Sequence, residues 1–259
     1  MIKIECSDFF QGIKKIKSST VDLVIADPPY FLSNNGITCK SGRIVSVNKG
    51  KWDINRGNKE SFYFHYNWMK ECQRVLKDTG TLWVSGTYHS IYDCGFALKL
   101  LGYHILNEIT WFKPNASPSM LNRQFKAAHE TLVWAKKNPK YKHTFNYEQI
   151  RNDNLFFDEI NNGSNQVSSV WCIKTTPKEE KFFGYHPTQK PEVLIYRIIT
   201  SSTIIGDLVL DPFMGSGTVG ACCLKTGRSF IGFEKEKQFY SIAKQRLFQI
   251  LENNHPHKK

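Results

Sequence analysis

At 259 residues the chain can bury a full core in one domain, and 41% apolar with 14% aromatic content excludes a disordered tail or low-complexity linker. No apolar run is long enough to span a bilayer, and Met1-Ile2-Lys3-Ile4-Glu5 is no signal peptide, so a cytoplasmic protein with no membrane partner is expected. Thirty-five Lys and Arg against 23 Asp and Glu give +12, which favours a polyanionic partner; solubility explains part of such a balance, and charge alone does not separate DNA from RNA. The seven cysteines are scattered without a Cys-x-x-Cys pair, so neither a zinc site nor a disulfide framework is supported, and a reducing compartment is the simplest setting.

In chain order, Ile2 to Glu5 alternates like a short strand, and Asp8 caps an amphipathic segment reaching about Ile16. Val21 to Ala26 is continuously apolar, as a parallel strand covered on both faces requires. From Phe31 to Glu60 no period appears. Asn34-Asn35-Gly36, Ser41-Gly42-Arg43 and Lys49-Gly50-Lys51-Trp52-Asp53 read as a long polar loop, either a substrate-gripping lid or disordered. A helix over Phe62 to Leu76 stops at Asp78-Thr79-Gly80. A strand follows at Thr81 to Val84, a helix at Tyr88 to Leu101, and strands at Tyr103 to Trp111 and Glu130 to Ala135. This alternation predicts a doubly wound α/β domain.

Between Lys136 and Gly184 the pattern breaks down. Lys136-Lys137-Asn138-Pro139-Lys140-Tyr141-Lys142-His143 interleaves bases and aromatics, and Asn161-Asn162-Gly163 marks a turn. Such a stretch suits a recognition surface, although a solvated connection would look similar. Order returns with a helix from Pro191 to Ser202, a strand at Asp207 to Leu210, a helix to Lys225, a strand at Phe230 to Phe233 and a last helix from Glu236 to Leu251. His255 to Lys259 reads as a frayed tail.

Two constellations carry chemistry. The strand at Val21 ends in Asp27-Pro28-Pro29-Tyr30. The prolines fix the backbone and carry no N–H, so the turn offers acceptors in set directions. It suits a planar amine: Asp27 and a backbone carbonyl take its two hydrogens while Tyr30 stacks on the ring. Phe31 could add a second wall or belong to the core. Asp-Pro also ends many ordinary strands, so the turn alone does not decide.

The second constellation is Asp211-Pro212-Phe213-Met214-Gly215-Ser216-Gly217-Thr218, where a strand runs into a glycine pair and a helix. Glycines let a backbone approach a ligand, and the helix start supplies free N–H groups. The loop lacks the Gly-Lys-Ser/Thr of a P-loop and the third glycine of the dinucleotide fingerprint. Glu234, ending the next strand, is placed to take two ribose hydroxyls. A nucleoside pocket without a strong phosphate cradle fits S-adenosylmethionine. The bland alternative is a tight turn with a surface glutamate.

Together, Asp27-Pro28-Pro29-Tyr30 and the Asp211 to Thr218 loop resemble the amino-methyltransferases that modify DNA bases, in the β-group order with the catalytic motif first. The resemblance covers nearly the whole chain. It implies a Rossmann-like S-adenosylmethionine-dependent methyltransferase sheet with helices on both faces and an inserted target-recognition region. It divides the chain into a catalytic part (1–137), the insertion (138–185) and a cofactor-binding part (186–259). His186-Pro187-Thr188-Gln189-Lys190-Pro191 is similar to the family segment on the methionine portion, which implies His186, Thr188 and Lys190 as cofactor residues. Asp8 matches the early acidic residue near the cofactor adenine. Asp211, Phe213, Gly215, Ser216, Gly217, Thr218 and Glu234 complete that set. Glu130-Thr131-Leu132-Val133-Trp134 also looks familiar. The stretch from Asp27 through Gly36, with Lys49 to Asp53, resembles in particular adenine methyltransferases of GATC-type restriction systems.

The resemblance implies a flipped adenine whose N6 hydrogens are accepted by Asp27 and the Pro28 carbonyl, with Tyr30 stacking on the base and no metal. N4-cytosine methylation is the nearest alternative, but that group more often carries serine at the position of Asp27. A catalytically silent DNA-binding relative is the alternative from another class. Further partners the resemblance allows are a second copy of the chain and a restriction endonuclease cutting the same site.

Overall fold

The computed structural model describes residues 1–31, 33, 37–40, 43–46, 50, 53, 54, 57–119, 123, 125–156, 160 and 166–254, with the backbone alone at 37–40, 43–46 and 254. The turns expected at Asn34-Asn35-Gly36, Ser41-Gly42 and Asn161-Asn162-Gly163, most of Lys49 to Trp52, and the tail from His255 lie outside the described residues.

The chain opens with β1 (Ile2–Cys6) and the single turn α1 (Phe9–Gly12), then β2 (Val21–Ala26). The side chain of Asp8 accepts a hydrogen bond from the Phe10 N–H at 2.9 Å, the cap its sequence position predicts. Next come β3 (Ile37–Lys40), β4 (Arg43–Ser46), α2 (Asn58–Val75), β5 (Leu76–Gly86), α3 (Ile91–Leu100), β6 (His104–Phe112) and β7 (His129–Lys136). The remainder is α4 (Tyr147–Asn152), β8 (Val170–Cys172), α5 (Glu192–Ser202), β9 (Leu208–Asp211), α6 (Thr218–Thr226), β10 (Ser229–Glu234) and α7 (Lys237–Asn254).

Among the described residues eight strands form one sheet in the order β1-β10-β9-β2-β5-β7-β6-β8. The neighbours from β1 to β5 are parallel, β7 runs antiparallel to both β5 and β6, and β8 is parallel to β6. Alternate residues of β2 point to opposite faces. Val24 and Ala26 join the core under α1, α2 and α3, with Trp68, Met69 and Leu98. Leu23 and Ile25 join the core under α5, α6 and α7, with Leu194, Ile198 and Leu247. The unbroken apolar run of β2 therefore reflects burial on both sides.

Two local expectations are revised. Residues 37–40 and 43–46 form an antiparallel pair, Ile37 opposite Ser46 and Lys40 opposite Arg43, where a loop without structure was expected; four-residue strands are too short to show a period. The stop at Asp78-Thr79-Gly80 survives as an irregularity inside β5: Val21 pairs with Leu76 and Leu23 with Thr81, so the intervening residues bulge out. The irregular stretch after Lys136 is tied to the sheet and to α5. Its strand β8 pairs with β6, Asn146 donates to the carbonyls of Thr200 and Thr203 on or next to α5, and Tyr196 donates to Asp153.

Candidate active site

Strands β2 and β9 are parallel neighbours, with Leu23 opposite Val209 and Val24 opposite Leu210. Their carboxyl ends release Asp27-Pro28-Pro29-Tyr30 and the Asp211 loop side by side. From β2 the chain proceeds to β5 on one side, and from β9 to β10 on the other. A crevice opens at such a switch point, and ligands of open α/β sheets bind there.

Asp27 is the centre of a dense network. Its Oδ1 accepts from the Tyr30 hydroxyl at 2.6 Å and from Ser85, at the end of β5, at 2.7 Å. Its Oδ2 accepts from Lys190 Nζ at 2.5 Å. Lys190 also donates to the Tyr30 oxygen at 3.2 Å and lies 3.5 Å from Glu130 Oε2. Glu130, on β7, takes Lys113 Nζ at 2.5 Å on its other oxygen. Burial would raise the Glu130 carboxyl, but Lys190 and Lys113 outweigh it and hold the group at about 2. Burial likewise opposes charge on Lys190, yet Asp27 and Glu130 keep its ammonium above the ordinary lysine value. Burial, reinforced by the two carboxylates, pushes the Tyr30 phenol well up, so it is a neutral donor. Asp53, wholly buried, anchors the turn by accepting the Tyr30 N–H at 3.0 Å.

Beside Asp27 lies a cavity of about 340 Å³. Asp8, Pro28, Tyr30, His186, Thr188, Phe213, Gly215 and Glu234, all singled out in the sequence, line it together with Asp27. Aromatic walls from Phe9, Phe10, Phe64, Phe233 and Phe239 were not foreseen. Lys190, Asp211, Ser216 and Thr218 line a smaller adjoining space of about 50 Å³, which shares Asp27, His186, Thr188, Phe213 and Gly215 with the first. The cavity's charged lining is acidic: Asp8, Asp27, Asp53, Glu60, Glu234 and Glu236 against Lys235. In a chain of net charge +12, a carboxylate-rich aromatic cavity selects a cationic planar ligand and disfavours a phosphorylated one.

The two loop glycines differ in place: Gly215 lines the cavity and Gly217 does not. Gly217 has φ +78° as the N-cap of α6, and a Cβ there would come within 3.0 Å of Ala243 on α7, so it lets two helices pack. It lines neither space. Gly215, at φ +52°, would place a Cβ 3.0 Å from His186 Nε2. Its N–H donates to Glu234 Oε2 at 2.8 Å, while Glu234 Oε1 accepts from the Glu236 N–H at 2.8 Å. Glu234 therefore shapes the loop as well as facing the cavity, and its burial raises its carboxyl. Burial pushes the Asp211 carboxyl up to about 8, so it is mostly protonated at neutral pH and holds the turn by accepting the Phe213 N–H at 3.0 Å.

A sequence profile described as DNA methylase matches residues 21–245. The chain is 45% identical over 249 residues to the type II methyltransferase M2.DpnII of Streptococcus pneumoniae, covering 96% of this chain and 90% of that one. With the type II methyltransferase M2.MboI of Moraxella bovis it shares 42% over 245 residues, 95% of this chain and 86% of the relative. The chain belongs to the DNA methylase family. The solved structure of an M1.HpyAVI–SAM complex superposes on this DNA methylase with a TM-score of 0.68 at 28% identity, covering 95% of this chain and 99% of that one. The PvuII DNA methyltransferase, cytosine-N4-specific, shares the fold at TM-score 0.71 and 18% identity, covering 98% and 92%.

Three polar residues that this methylase sets on the Asp27–Tyr30 turn or in its network escaped the site reading: Ser85, Asp53 and Lys113. Glu130 stood only inside a familiar segment. The one signal it gave was a carboxylate opening an apolar strand, which is costly unless a cation meets it. Among the described residues, no helix is long and apolar enough to cross a membrane.

Proposed function

We propose that this DNA methylase transfers the methyl group of S-adenosylmethionine to the N6 amine of an adenine flipped out of a specific DNA sequence, in a restriction-modification system. The observation that carries the reading is the continuity of the acid-lined aromatic cavity with the Asp27 carboxylate. The cofactor fits this cavity because it pairs an adenine ring and a ribose with a sulfonium and an ammonium. When bound, it supplies an electrophilic methyl group already activated by positive sulfur. Phe213 and the aromatic walls would hold the adenine, Asp8 and Glu234 its polar groups, and His186 and Thr188 the methionine portion.

The chain's own work is alignment and hydrogen-bond acceptance. An exocyclic amine is a poor nucleophile while its lone pair is delocalised into the ring. Asp27 and the Pro28 carbonyl, taking its two hydrogens, favour a tetrahedral nitrogen with its lone pair free. Asp27 is occupied beforehand by three donors, so one must yield to the amine. Tyr30 can do so, because Glu130 Oε2 stands 3.3 Å from its hydroxyl as a second acceptor. The Tyr30 ring then serves as the stacking face for the flipped base. The amine, acidified as the new N–C bond forms, gives its proton to the Asp27 carboxylate, which Lys190 holds in place.

The DNA side lies around the loop between β6 and β7, which leaves the network at Lys113, carries Arg123 and Lys126, and has no acidic residue before Glu130. Residues 138–185 form the target-recognition region, flanked by the catalytic part (1–137) and the cofactor part (186–259). The protein acts in the cytoplasm beside an endonuclease that cuts the same sequence, and a second copy of the chain is a further partner. The test is methyl transfer to DNA from labelled cofactor, with the modified nucleoside identified by mass spectrometry. N6-methyladenine is the expected product. Asp27→Ala should abolish transfer while the cofactor dissociation constant changes little; an active variant, or N4-methylcytosine as product, overturns the assignment.

A further inference from the structure

The connection between β6 and β7 springs from the charge network around Asp27. Strand β7 runs antiparallel to β5, with Thr131 opposite Gly86 and Leu132 opposite Ser85, so it starts at the end of the sheet where Ser85 meets Asp27. Strand β6 arrives at that same end, with Trp111 opposite Glu130 and Phe112 opposite His129. The Lys113 N–H donates to the Ala128 carbonyl at 2.7 Å, which makes residues 114–127 an excursion whose two feet stand together. The outgoing arm is braced: Asn115 Nδ2 donates to the Thr175 hydroxyl at 3.0 Å, and its Oδ1 accepts the Thr175 N–H at 3.0 Å.

On the returning arm Phe125 is 99% exposed. One exposed apolar side chain is ordinary by itself. Its place makes this one informative. Phe125 precedes Glu130 by five residues, so the chain holds it within about 18 Å of that carboxylate. Glu130 Oε2 in turn stands 3.3 Å from the Tyr30 hydroxyl. Arg123 and Lys126, both exposed, flank the ring in sequence, and the ring lines neither the cavity nor the smaller space beside it. An apolar ring between two cations, on an arm without acids, suits a position among phosphates and bases. The other basic and aromatic run, Lys136 to His143, starts at the far end of β7. From Glu130 to Lys136 that strand spans roughly 20 Å, away from Asp27.

We propose that Phe125 is the wedge that enters the duplex and fills the gap left by the flipped adenine. This rests on the adenine-methylation reading above and assigns the residue that reading leaves open. Extrusion breaks a base pair and unstacks the adenine from both neighbours. A flat apolar ring placed in the gap restacks those neighbours, and the cations on either side hold the arm to the backbone. Two rings then divide the work: Tyr30 receives the adenine, and Phe125 takes its place in the stack.

The test is single-turnover methyl transfer to a duplex carrying a site that the wild type methylates, beside the same duplex with an abasic nucleotide opposite the target adenine. Phe125→Ala should slow transfer to the paired duplex by about tenfold or more, as the loss of one ring–base stack requires. Where no pair has to break, the ratio of wild type to variant should shrink by at least about threefold. Phe125→Trp should keep transfer on both. Because the ring is exposed, Tm and the cofactor dissociation constant should not move in Phe125→Ala. The salt slope of DNA binding should stay unchanged in that variant and fall by about one in Arg123→Ala. Wild-type rates for Phe125→Ala on the paired duplex overturn the inference. So does a loss of equal size on both duplexes, which marks a plain surface contact. A wild type that methylates no DNA overturns the proposed function itself, and the wedge with it.

Discussion

Glu130→Gln is the sharpest test of the buried charge network. The Glu130 side chain is 13% exposed, and Lys113 and Lys190 hold its carboxyl at about 2 rather than 4.5. A depression of this size makes ionised Glu130 worth roughly 3 kcal/mol to the folded state. The sign follows from the direction of the shift. Below the unfolded value the unfolded chain binds the proton first, so the contribution is complete above about 5, falls to about half near pH 3, and is gone below the folded value. Urea unfolding at neutral pH should therefore show Glu130→Gln less stable than the wild type by roughly 3 kcal/mol, a large fraction of a typical domain's stability. The gap should narrow as pH is lowered from about 5 toward 3. In activity, Lys190 would be left with Asp27 as its one carboxylate beside the Tyr30 hydroxyl, so kcat should fall further than the affinity for DNA. Equal midpoints at neutral pH would refute the reasoning, and so would a gap that does not narrow in acid.

Two further outcomes separate ligand contact from packing. Glu234→Ala removes an acidic wall of the cavity and the acceptor for the Gly215 and Glu236 N–H groups, so the cofactor dissociation constant should rise about tenfold or more in calorimetry. An unchanged constant would take Glu234 out of the cofactor site. Gly217→Ala strains a left-handed N-cap and presses on Ala243, so it should lower stability by about 1–3 kcal/mol while the folded protein binds cofactor with unchanged affinity. A variant as stable as wild type but weak for cofactor would place Gly217 at the ligand after all.

The strands and the two acidic turns were legible because burial on both faces writes unbroken apolar runs, and prolines and glycines punctuate their ends. What stayed hidden was longer in range or shorter in span. Lys190 read as a cofactor residue from its neighbours in sequence, yet its ammonium reaches Asp27, 163 positions away. No local pattern announces such a pairing. Gly217 looked like a ligand-approach glycine because the sequence shows the missing Cβ but not Ala243, the neighbour it makes room for. Strand β8 has three residues, too few for a period, and becomes a strand only because β6 offers an edge.

The arrangement also accounts for how one chain can serve two ligands of opposite charge. DNA asks for a basic surface, and the net charge of +12 supplies it. A sulfonium cofactor asks for the reverse, and the cavity collects carboxylates from α1's cap, the ends of β2 and β10, and the start of α2. Asp27, the carboxylate proposed to act on the amine, stands where these fields meet, just past the end of β2 between β5 and β9. Unpaired, Lys190 and Lys113 would draw DNA phosphates inward; both are instead held by carboxylates. Pairing Lys190 with both Asp27 and Glu130 sets a cation between two acids at the meeting point of the basic surface and the acidic cavity.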